Sequence, residues 1–443
     1  MLIGLNFGPL MVAGSTLIQT GQLVPEAFLA GIPLGFLISA VVYINEFPDH
    51  DSDKATGKNT LIVVFGPEKA RVGYVALVSG ASTDLLIFTA TYLFFTLFII
   101  SGLFKHNILP ISNSVTLPFV SVIIAARNEE NNLPPLINDL IKQEYPLGKF
   151  EIIIINDRSN DSTQKILDEA SENYSFIKNI KINKKSEEMT PKKHAIDLGI
   201  KESKGKVIIA TDADCRVGSL WVASMTYNLI NKNGVVIGYS EIDDKKGTFF
   251  EKYQKLDFLA IIVANAGAAG WNHHWSGTGQ NLAYYKKDYL EIGGFEPVKD
   301  KISGDDMYLV QAISNLKKGY INIDPNSYVK TNSMNSIKEF LNQRIRWSSN
   351  SKSTFKNTPV FFMFLIVSFF ENLLILFSII LFKKGFIIWG IKIIVDGIVI
   401  LFGSKLFEKS FDIKTYFFWA MLQPFYIPFI GTLGLFNKFS WKR

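Results

Sequence analysis

Apolar residues are distributed unevenly along the 443-residue chain, and this feature limits its architecture more than any other. They concentrate toward both ends and leave a polar, charged stretch between Leu117 and Asn357. An apolar run of about 20 residues is long enough for a helix to cross a bilayer. The sequence therefore predicts a water-facing domain held at a membrane by helices before and after it.

The apolar runs form an N-terminal and a C-terminal group. Near the start, Leu2–Ile18 and Ala27–Ile44 are close to the length of a membrane span, and Leu85–Phe104 is the clearest membrane helix. Three more predicted spans follow the polar stretch: Val360–Phe382, Phe386–Phe402 and Tyr416–Phe436. We expect a membrane segment over residues 1–80, a membrane helix and linker over 81–117, a water-facing domain over 118–357 and C-terminal membrane helices over 358–443.

Charge and cysteine content exclude two classes of protein. The chain has 46 Lys and Arg against 40 Asp and Glu, and it lacks the dense basic stripe of a nucleic-acid binder. We therefore expect no nucleic-acid partner. A single cysteine, Cys215, rules out a framework of disulfides within the chain.

The polar stretch alternates between strand-like and helix-like segments. Val120–Ala125, Glu151–Asn156 and Lys206–Thr211 are apolar, β-branched runs typical of buried strands. Glu130–Gln143 and Ser162–Ser171, which lie between them, are typical of helices. This alternation predicts an α/β fold with a mostly parallel sheet and helices on both faces.

Each predicted strand is followed by candidate ligand-binding groups. Glu129 comes just after the first strand, Asp157 closes the second, and Asp212 and Asp214 follow the third. In open α/β sheets, ligands bind outside the carboxyl ends of the strands. These carboxylates are therefore expected to share one site.

The T-D-A-D-C sequence holds two carboxylates, Asp212 and Asp214, two positions apart. Both could reach one hard cation, Mg²⁺ or Mn²⁺, which prefers oxygen ligands and keeps positions for water and phosphate. Such a cation would neutralise a departing diphosphate. The D-x-D pattern alone is common, and an ordinary surface loop explains most instances.

Asp157 has two interpretations. Its carboxylate could accept hydrogen bonds from a nucleobase or ribose, since it lies at the ligand edge of the sheet. It could instead cap the next helix, a role for which Asp161 and Ser162 are also candidates. We favour recognition of a nucleotide.

The S-G-D-D-M-Y-L sequence places Asp305 and Asp306 side by side before a predicted helix. Crowding of like charges raises the pKa of one carboxyl group toward neutrality, as a general base requires. The alternative is helix capping by either residue.

The Q-R-I-R-W sequence, Gln343–Trp347, lies on an amphipathic stretch just before the membrane. Arg346 could pair with diphosphate oxygens, and Trp347 offers a flat apolar wall to a sugar or base. An Arg/Trp anchor at the membrane interface is the competing interpretation.

Taken in this order, the four motifs resemble the membrane branch of the family 2 glycosyltransferases over residues of about 85–440. That branch includes ceramide glucosyltransferases and the cellulose, hyaluronan and poly-N-acetylglucosamine synthases. The resemblance implies a GT-A fold, which binds nucleotide-diphospho-sugars, flanked by transmembrane helices. It also implies an inverting, metal-dependent transfer of a sugar from a nucleotide-sugar donor.

The resemblance assigns expected roles to individual residues. It implies that Ala126–Glu129 and Asp157 contact the nucleotide, with Lys192 or Lys193 nearby. Asp212 and Asp214 match the D-x-D aspartates, Asp214 being the expected metal ligand. Asp306 matches the base, and Asp305 stands where many members have Glu. The remaining expected contacts match the Q-x-x-R-W motif and the acceptor-side loop: Gln343, Arg346, Trp347 and Gly277–Asn281.

The polar loop near the N-terminus resembles a different family. Asp49, Asp53 and Lys58 are similar to the second aspartate-rich motif of the UbiA intramembrane prenyltransferases, which include the enzymes of menaquinone synthesis. Its alternative interpretation is a solvated, charged loop. Since that family uses two such motifs and this chain has only the second, we expect residues 1–80 to have no prenyltransferase activity of their own.

In both families the active loops face the cytoplasm, so joining them requires an even number of crossings between Arg71 and Lys105. Only residues 72–104 are available, whereas two crossings need roughly 40 residues. Either this stretch forms a short or re-entrant hairpin, or the two pieces were joined without a shared architecture.

These observations predict a glycosyltransferase of the bacterial plasma membrane with a cytoplasmic catalytic domain. The expected acceptor is a lipid or lipid-linked molecule, because Gln343–Trp347 lies just before a membrane helix. Three alternatives remain: a processive polysaccharide synthase, a UbiA-type prenyltransferase that works through the N-terminal segment, and a non-catalytic membrane scaffold that retains a glycosyltransferase shape.

Overall fold

The structure is a computed structural model that describes residues 5–20, 31–58, 60–109, 116–146, 148–351, 354, 357–381 and 385–436. Parts of the predicted spans Leu2–Ile18 and Ala27–Ile44 lie outside these residues. The chain divides into two compact units, which we describe separately. The helical unit comprises Met1–Phe95, Met363–Lys392 and Gln423–Leu435, and the sheet unit comprises Thr96–Phe362, Ile393–Leu422 and Phe436–Arg443.

Short helices form the N-terminal part of the helical unit. A π-helical turn at Asn6–Leu10 leads into α1 (Met11–Thr20), and α2 (Ile32–Asn45), α3 (His50–Ala55) and α4 (Leu61–Phe65) follow. The 14 residues of α2 are fewer than the roughly 20 that a full crossing needs.

Helix α5 (Pro67–Leu103) is continuous over 37 residues. At about 1.5 Å per residue it is roughly 55 Å long. The hairpin considered for residues 72–104 is therefore wrong, because the chain does not turn there. Within α5, Leu85–Leu103 is long and apolar enough to cross a membrane once, close to the predicted Leu85–Phe104.

The sheet unit is built on a seven-stranded sheet of order β3-β2-β1-β4-β8-β6-β9. The strands of this sheet and of a smaller one are β1 (Val120–Ala126), β2 (Phe150–Asp157), β3 (Ile177–Ile182), β4 (Val207–Asp212), β5 (Cys215–Val217), β6 (Val235–Gly238), β7 (Ser240–Asp243), β8 (Leu282–Tyr285), β9 (Gly319–Asn322) and β10 (Val329–Asn332). β8 runs antiparallel to β4 and β6, whereas the other pairings are parallel. The predicted mostly parallel α/β sheet is confirmed.

Helices cover both faces of this sheet. The helices of the domain are α6 (Leu133–Leu140), α7 (Thr163–Asn173), α8 (Pro191–Glu202), α9 (Trp221–Lys232), α10 (Phe249–Gly270), α11 (Lys286–Glu291), α12 (Asp305–Leu316) and α13 (Ile337–Ser349). Alternate residues of β1 point to opposite faces, so Val122 and Ile124 join a core with α6 and α9. On the other face Gly199 lets α8 approach closely, since a Cβ there would lie 2.5 Å from Ile155 Cδ1.

The smaller sheet has the order β5-β10-β7. β10 pairs antiparallel with β5 and parallel with β7. Because β5 begins directly after Asp214, this sheet fixes the segment that follows the D-x-D motif. Thr331 of β10 lies opposite Cys215 in the register.

The C-terminal helices are α14 (Pro359–Leu381), α15 (Gly385–Leu406) and α16 (Ile413–Leu435). Each contains a stretch that is long and apolar enough to cross a membrane. Among the described residues, these three helices and α5 have that property. The predicted placement of apolar helices at both ends of an α/β domain is confirmed, as expected of an integral membrane protein.

Candidate active site

The carboxyl ends of three neighbouring strands bring the expected groups to one edge of the sheet. β1 lies between β2 and β4, with Ala126 opposite Asn156 and Ala125 opposite Asp212. The loops after these strands therefore start side by side. Glu129, Asp157 and Asp214 all belong to these ends or loops.

Asp157 is buried and forms an ion pair with its neighbour. Arg158 donates from Nε to Asp157 Oδ1 at 2.7 Å and from Nη2 to Oδ2 at 2.9 Å. Arg127 Nη1 lies 4.0 Å from Oδ2 of the same carboxylate. The helix-capping interpretation has no support here, because the N–H of Thr163 in α7 donates to Asp161 instead.

Hydrogen bonds between the loops after β1 and β2 hold this edge together. The N–H of Asn128 donates to Ser159 Oγ at 2.9 Å, and the N–H of Asn160 donates to Asn128 Oδ1 at 2.8 Å. Asn128 and Arg158 have left-handed φ angles of 55° and 56°. Asparagine adopts this conformation readily, whereas for arginine it costs free energy. The two hydrogen bonds from Arg158 to Asp157 offset part of that cost.

Asp214 lies in a crowded acidic environment. Burial raises its pKa to about 6, helped by the charges of Asp212 and Glu129 and opposed by Lys192. Thr331 Oγ1 approaches Asp214 Oδ2 at 3.5 Å. A divalent cation would relieve this repulsion between carboxylates, so the residues present fit a metal ion.

The number of protein ligands available to such an ion is small. Among the described residues, no group of three or more His, Cys, Asp or Glu side chains is arranged to hold a metal. A cation held by Asp214 and Asp212 would thus keep several positions for water and phosphate oxygens, which is the usual habit of Mg²⁺.

The two adjacent lysines point to different surroundings. Lys192 Nζ donates to Asp212 Oδ1 at 2.8 Å. Burial lowers the pKa of Lys192, but the charges of Asp212, Asp305 and Asp306 outweigh burial and raise it overall. Lys193 is buried and donates to the carbonyl oxygen of Lys301, which ties α8 to the loop before α12. Lys192 therefore bonds directly to Asp212, whereas Lys193 interacts with Asp305 and Asp306 only through their charge.

Asp306 lies in the first turn of α12 and is held by two backbone donors. Its Oδ2 accepts from the N–H of Gly279 at 3.0 Å, and its Oδ1 accepts from the N–H of Met307 at 2.8 Å. Burial and the neighbouring Asp305 raise its pKa to about 6, while Lys192 opposes the shift. Gly304, with φ of 83°, precedes the helix and provides no side-chain cap.

The D-x-D and Q-x-x-R-W motifs line one cavity. Asp214, Gln343 and Trp347 all contribute to its walls, although they are far apart in sequence. Its other lining residues are Ile242, Phe258, Gln280, Thr331, Asn332 and Met334. Burial lowers the pKa of Arg346 in the same motif, and the charges of Asp306, Asp305 and Asp212 oppose that change.

Several participating residues were not found from the sequence. Arg158 lies beside Asp157, and Arg344 lies inside the Q-R-I-R-W motif, so both were within reach of inspection. Gln280, which donates to Thr331 Oγ1 at 3.2 Å, lies by contrast in Gly277–Asn281, the loop that the sequence already indicated. Asp257 of α10 carries no sequence signal, because it lies in a helix without a motif.

Comparisons with known proteins agree with both halves of the sequence interpretation. Residues 121–303 match the glycosyl transferase family 2 model, and residues 1–111 match the UbiA prenyltransferase family model. The second match extends through α5. The chain therefore carries a family 2 glycosyltransferase domain preceded by a UbiA-family segment.

Individual relatives include two bacterial proteins. A probable glycosyltransferase, YdaM of Bacillus subtilis, is 29% identical over 271 residues, which are 59% of this chain and 63% of YdaM. The β-monoglucosyldiacylglycerol synthase of Trichormus variabilis is 37% identical over 105 residues, 24% of this chain and 22% of that enzyme. The matches thus span less than two thirds of either relative.

A solved structure supports the fold. The mannosyltransferase PcManGT of Pyrobaculum calidifontis, in complex with GDP-Man and Mn²⁺, superimposes with a TM-score of 0.54 at 15% identity. The superposition covers 80% of this chain and 98% of PcManGT. The expected GT-A fold is confirmed.

Proposed function

We propose that this protein is a membrane-bound, inverting glycosyltransferase that moves a sugar from a nucleotide-sugar donor to a lipid or lipid-linked acceptor. The observation that carries this proposal is the grouping of Asp212, Asp214, Asp305 and Asp306 with Lys192 at one edge of the sheet. The acidic side chains can hold a metal ion and supply a base, and the positive charge of Lys192 can pair with phosphate. Such a group of residues suits a nucleoside diphosphate sugar.

The donor is bound by its nucleotide and by its diphosphate. Asp157 accepts hydrogen bonds from the base or ribose, beside Glu129 at the neighbouring strand end. Asp214 and Asp212 would hold Mg²⁺ or Mn²⁺. When bound, such an ion supplies positive charge to the diphosphate, so that the leaving group needs no proton. Lys192 and Arg346 add charge on the same side.

Asp306 is the base of a single displacement. The acceptor oxygen attacks the anomeric carbon and forms the glycosidic bond, while the bond from that carbon to the diphosphate breaks. The acceptor proton moves to the Asp306 carboxylate, whose raised pKa suits this role near neutral pH. Attack opposite the leaving group inverts the anomeric configuration.

The proposed acceptor comes from the membrane. Trp347 and Gln343 line the cavity on α13, which ends at Ser349 shortly before the apolar helix α14 begins at Pro359. The name of one relative, a glucosyldiacylglycerol synthase, is in keeping with a lipid acceptor. The protein would reside in a bacterial plasma membrane with the sheet domain in the cytoplasm.

Two other activities are distinguishable from this one. A processive synthase would transfer label into a polymer rather than into a lipid extract. Prenyl transfer by the N-terminal segment is disfavoured, because the UbiA family uses two aspartate-rich motifs and the sequence resembles only the second, around Asp49 and Asp53. Detection of metal-dependent prenylation by the purified protein would overturn that view.

The test is transfer of label by membranes that contain the full chain. They are incubated with a panel of labelled UDP- and GDP-sugars and Mn²⁺ or Mg²⁺, and the lipids are then extracted. Label from at least one donor should enter the lipid fraction with the natural sequence and not with Asp214→Asn. Absence of transfer from every donor, under conditions where the protein is folded, would contradict the proposal.

A further inference from the structure

One buried carboxylate of the sheet unit joins three helices. Asp257 lies on α10 and is 4% exposed. Its Oδ2 accepts from Arg344 Nε of α13 at 2.7 Å, and its Oδ1 accepts from Trp419 Nε1 of α16 at 3.0 Å. Both carboxylate oxygens therefore accept hydrogen bonds. One bond comes from α13, which carries the Q-R-I-R-W sequence, and the other from α16, an apolar helix long enough to cross a membrane.

Arg344 contacts both Asp257 and two residues of the cavity wall. Its Nη1 donates to Gln343 Oε1 at 2.6 Å. Its guanidinium carbon lies 4.3 Å from the ring centroid of Trp347 and 4.6 Å from that of Phe340. Gln343 and Trp347 both line the cavity, so the orientation of Arg344 influences the positions of two lining side chains.

The same side of α10 contacts the cavity at two more positions. Phe258, next to Asp257, packs its ring 5.8 Å from that of Trp347. One turn earlier, the Gln254 side chain pairs with the backbone of Met334, donating to its carbonyl at 3.0 Å and accepting from its N–H at 2.8 Å. Met334 is also a lining residue, so the turn of α10 from Gln254 to Phe258 supports the wall.

The ion pair of Asp257 with Arg344 tolerates few substitutions, because both charges are buried. The side chains are 5% and 3% exposed, and removing one partner would leave the other charge buried and unpaired. A lysine could not replace Arg344, because it lacks the planar group that reaches Asp257 and Gln343 while lying against two rings. The geometry is thus specific to this set of residues.

We propose that Asp257 is a positioning residue that couples the apolar helix α16 to the acceptor wall formed by Gln343 and Trp347. Trp419 fixes Asp257, Asp257 fixes Arg344, and Arg344 fixes the two lining side chains. This inference rests on the proposed glycosyl transfer, and it adds that the membrane helix sets the efficiency with which the acceptor is used.

The test is Trp419→Phe, which removes the N–H donor and keeps an aromatic ring. A hydrogen bond to a buried charge is lost, so kcat/KM for the acceptor should fall by roughly tenfold or more. The Kd of the nucleoside diphosphate with Mn²⁺ should stay within about twofold of that of the natural sequence, because the contacts of Asp257 lead through Arg344 to Gln343 and Trp347 rather than to the carboxylates of Asp212 and Asp214. A merely structural defect would lower kcat/KM and would also raise this Kd.

A matched control is Trp271→Phe. The Nε1 of Trp271 donates to the carbonyl of Phe98 at 3.1 Å, so the same atoms are removed away from the cavity. This variant should transfer sugar as the natural sequence does.

A double variant identifies Asp257 as the intermediary. Asp257→Asn should lower kcat/KM for the acceptor further than Trp419→Phe, and combining the two should add less than about twofold, since both act through one carboxylate. The inference would be overturned if the double variant lost kcat/KM by the product of the two single losses. It would also be overturned by a Trp419→Phe variant as active as the natural sequence. If Asp257→Asn does not fold, the acceptor-to-donor split of Trp419→Phe decides alone. Absence of transfer by the natural sequence would count against the proposed function instead.

Discussion

Asp306 Oδ2 accepts a 3.0 Å hydrogen bond from the backbone N–H of Gly279, which joins the first turn of α12 to the loop before β8. A Cβ at position 279 would lie 3.7 Å from Asp306 Cβ and 3.8 Å from Lys192 Nζ. Gly279 thus marks the point where the G-T-G-Q-N loop, the acidic pair and Lys192 meet. The carboxylate of Asp306 is oriented by backbone atoms, which would hold the proposed base rigidly.

The pH dependence of transfer should reflect Asp306. Its pKa is raised to about 6 by burial and by Asp305, and a base must be deprotonated to act. We expect kcat to fall about tenfold per pH unit below pH 6 and to level off above it. Asp305→Asn removes a like charge, so the pKa of Asp306 should drop and the acidic limb should move to lower pH. An unmoved limb in Asp305→Asn would contradict the electrostatic assignment.

The adjacent lysines should behave differently when each is changed to methionine. Lys192→Met removes the cation that lowers the pKa values of Asp214 and Asp306, so the acidic limb of kcat should move to higher pH, with kcat reduced by about 100-fold or more. Lys193→Met loses the bond to the Lys301 carbonyl and should mainly lower the thermal unfolding temperature. Equal pH profiles for the two variants would show that Lys192 has no special position.

Metal binding should be visible in stability as well as in activity. The pKa of Asp214 is raised to about 6 in the folded protein, above its ordinary value, so its stabilising contribution is present at low pH and is lost as pH rises through 6. The metal-free protein should therefore unfold a few degrees lower at pH 7 than at pH 5. Mn²⁺ at pH 7 should raise the unfolding temperature, and Asp214→Asn should abolish that gain. No shift with Mn²⁺ in the natural sequence would contradict a metal site at Asp214.

The N-terminal aspartates should be dispensable for sugar transfer. Asp53 is paired with Lys58 on the short helix and loop after α2, and the proposed sugar transfer uses neither side chain. Asp53→Asn should leave glycosyl transfer within about twofold of the natural sequence, measured with the same labelled donor. A loss of tenfold or more, with normal protein levels in the membrane, would mean that the UbiA-family segment takes part in the reaction.

The main strands and their polar ends could be predicted from sequence for a simple reason. β1, β2 and β4 are buried on both faces, so each is a continuous apolar run, and parallel neighbours place their carboxyl ends together. Asp157 and Asp212 consequently met at the expected edge. β8 was not predicted, because its four residues reach the sheet only after α10, and a pairing over such a distance leaves no local pattern.

Two other features were beyond local reasoning. The segment Ser79–Asp84 consists of small and polar residues that suit a turn, yet the chain remains helical throughout α5, because each backbone group still finds its partner within a helix. The bond between Asp257 and Arg344 joins residues 87 positions apart, and neither a strand end nor a motif marks the aspartate. Such contacts depend on how helices pack, which periodicity does not specify.

The most direct test of the account combines catalysis and binding in Asp306→Asn. The amide keeps the shape of the side chain but does not act as a base, so transfer of labelled sugar should fall by about 10² to 10⁴-fold. Mn²⁺-dependent binding of UDP or GDP, measured by calorimetry on the same preparation, should remain within about threefold, because Asp157, Asp212 and Asp214 are unchanged. Transfer at the rate of the natural sequence would contradict the assignment of Asp306 as the base and, with it, the convergence of these carboxylates on one sugar nucleotide.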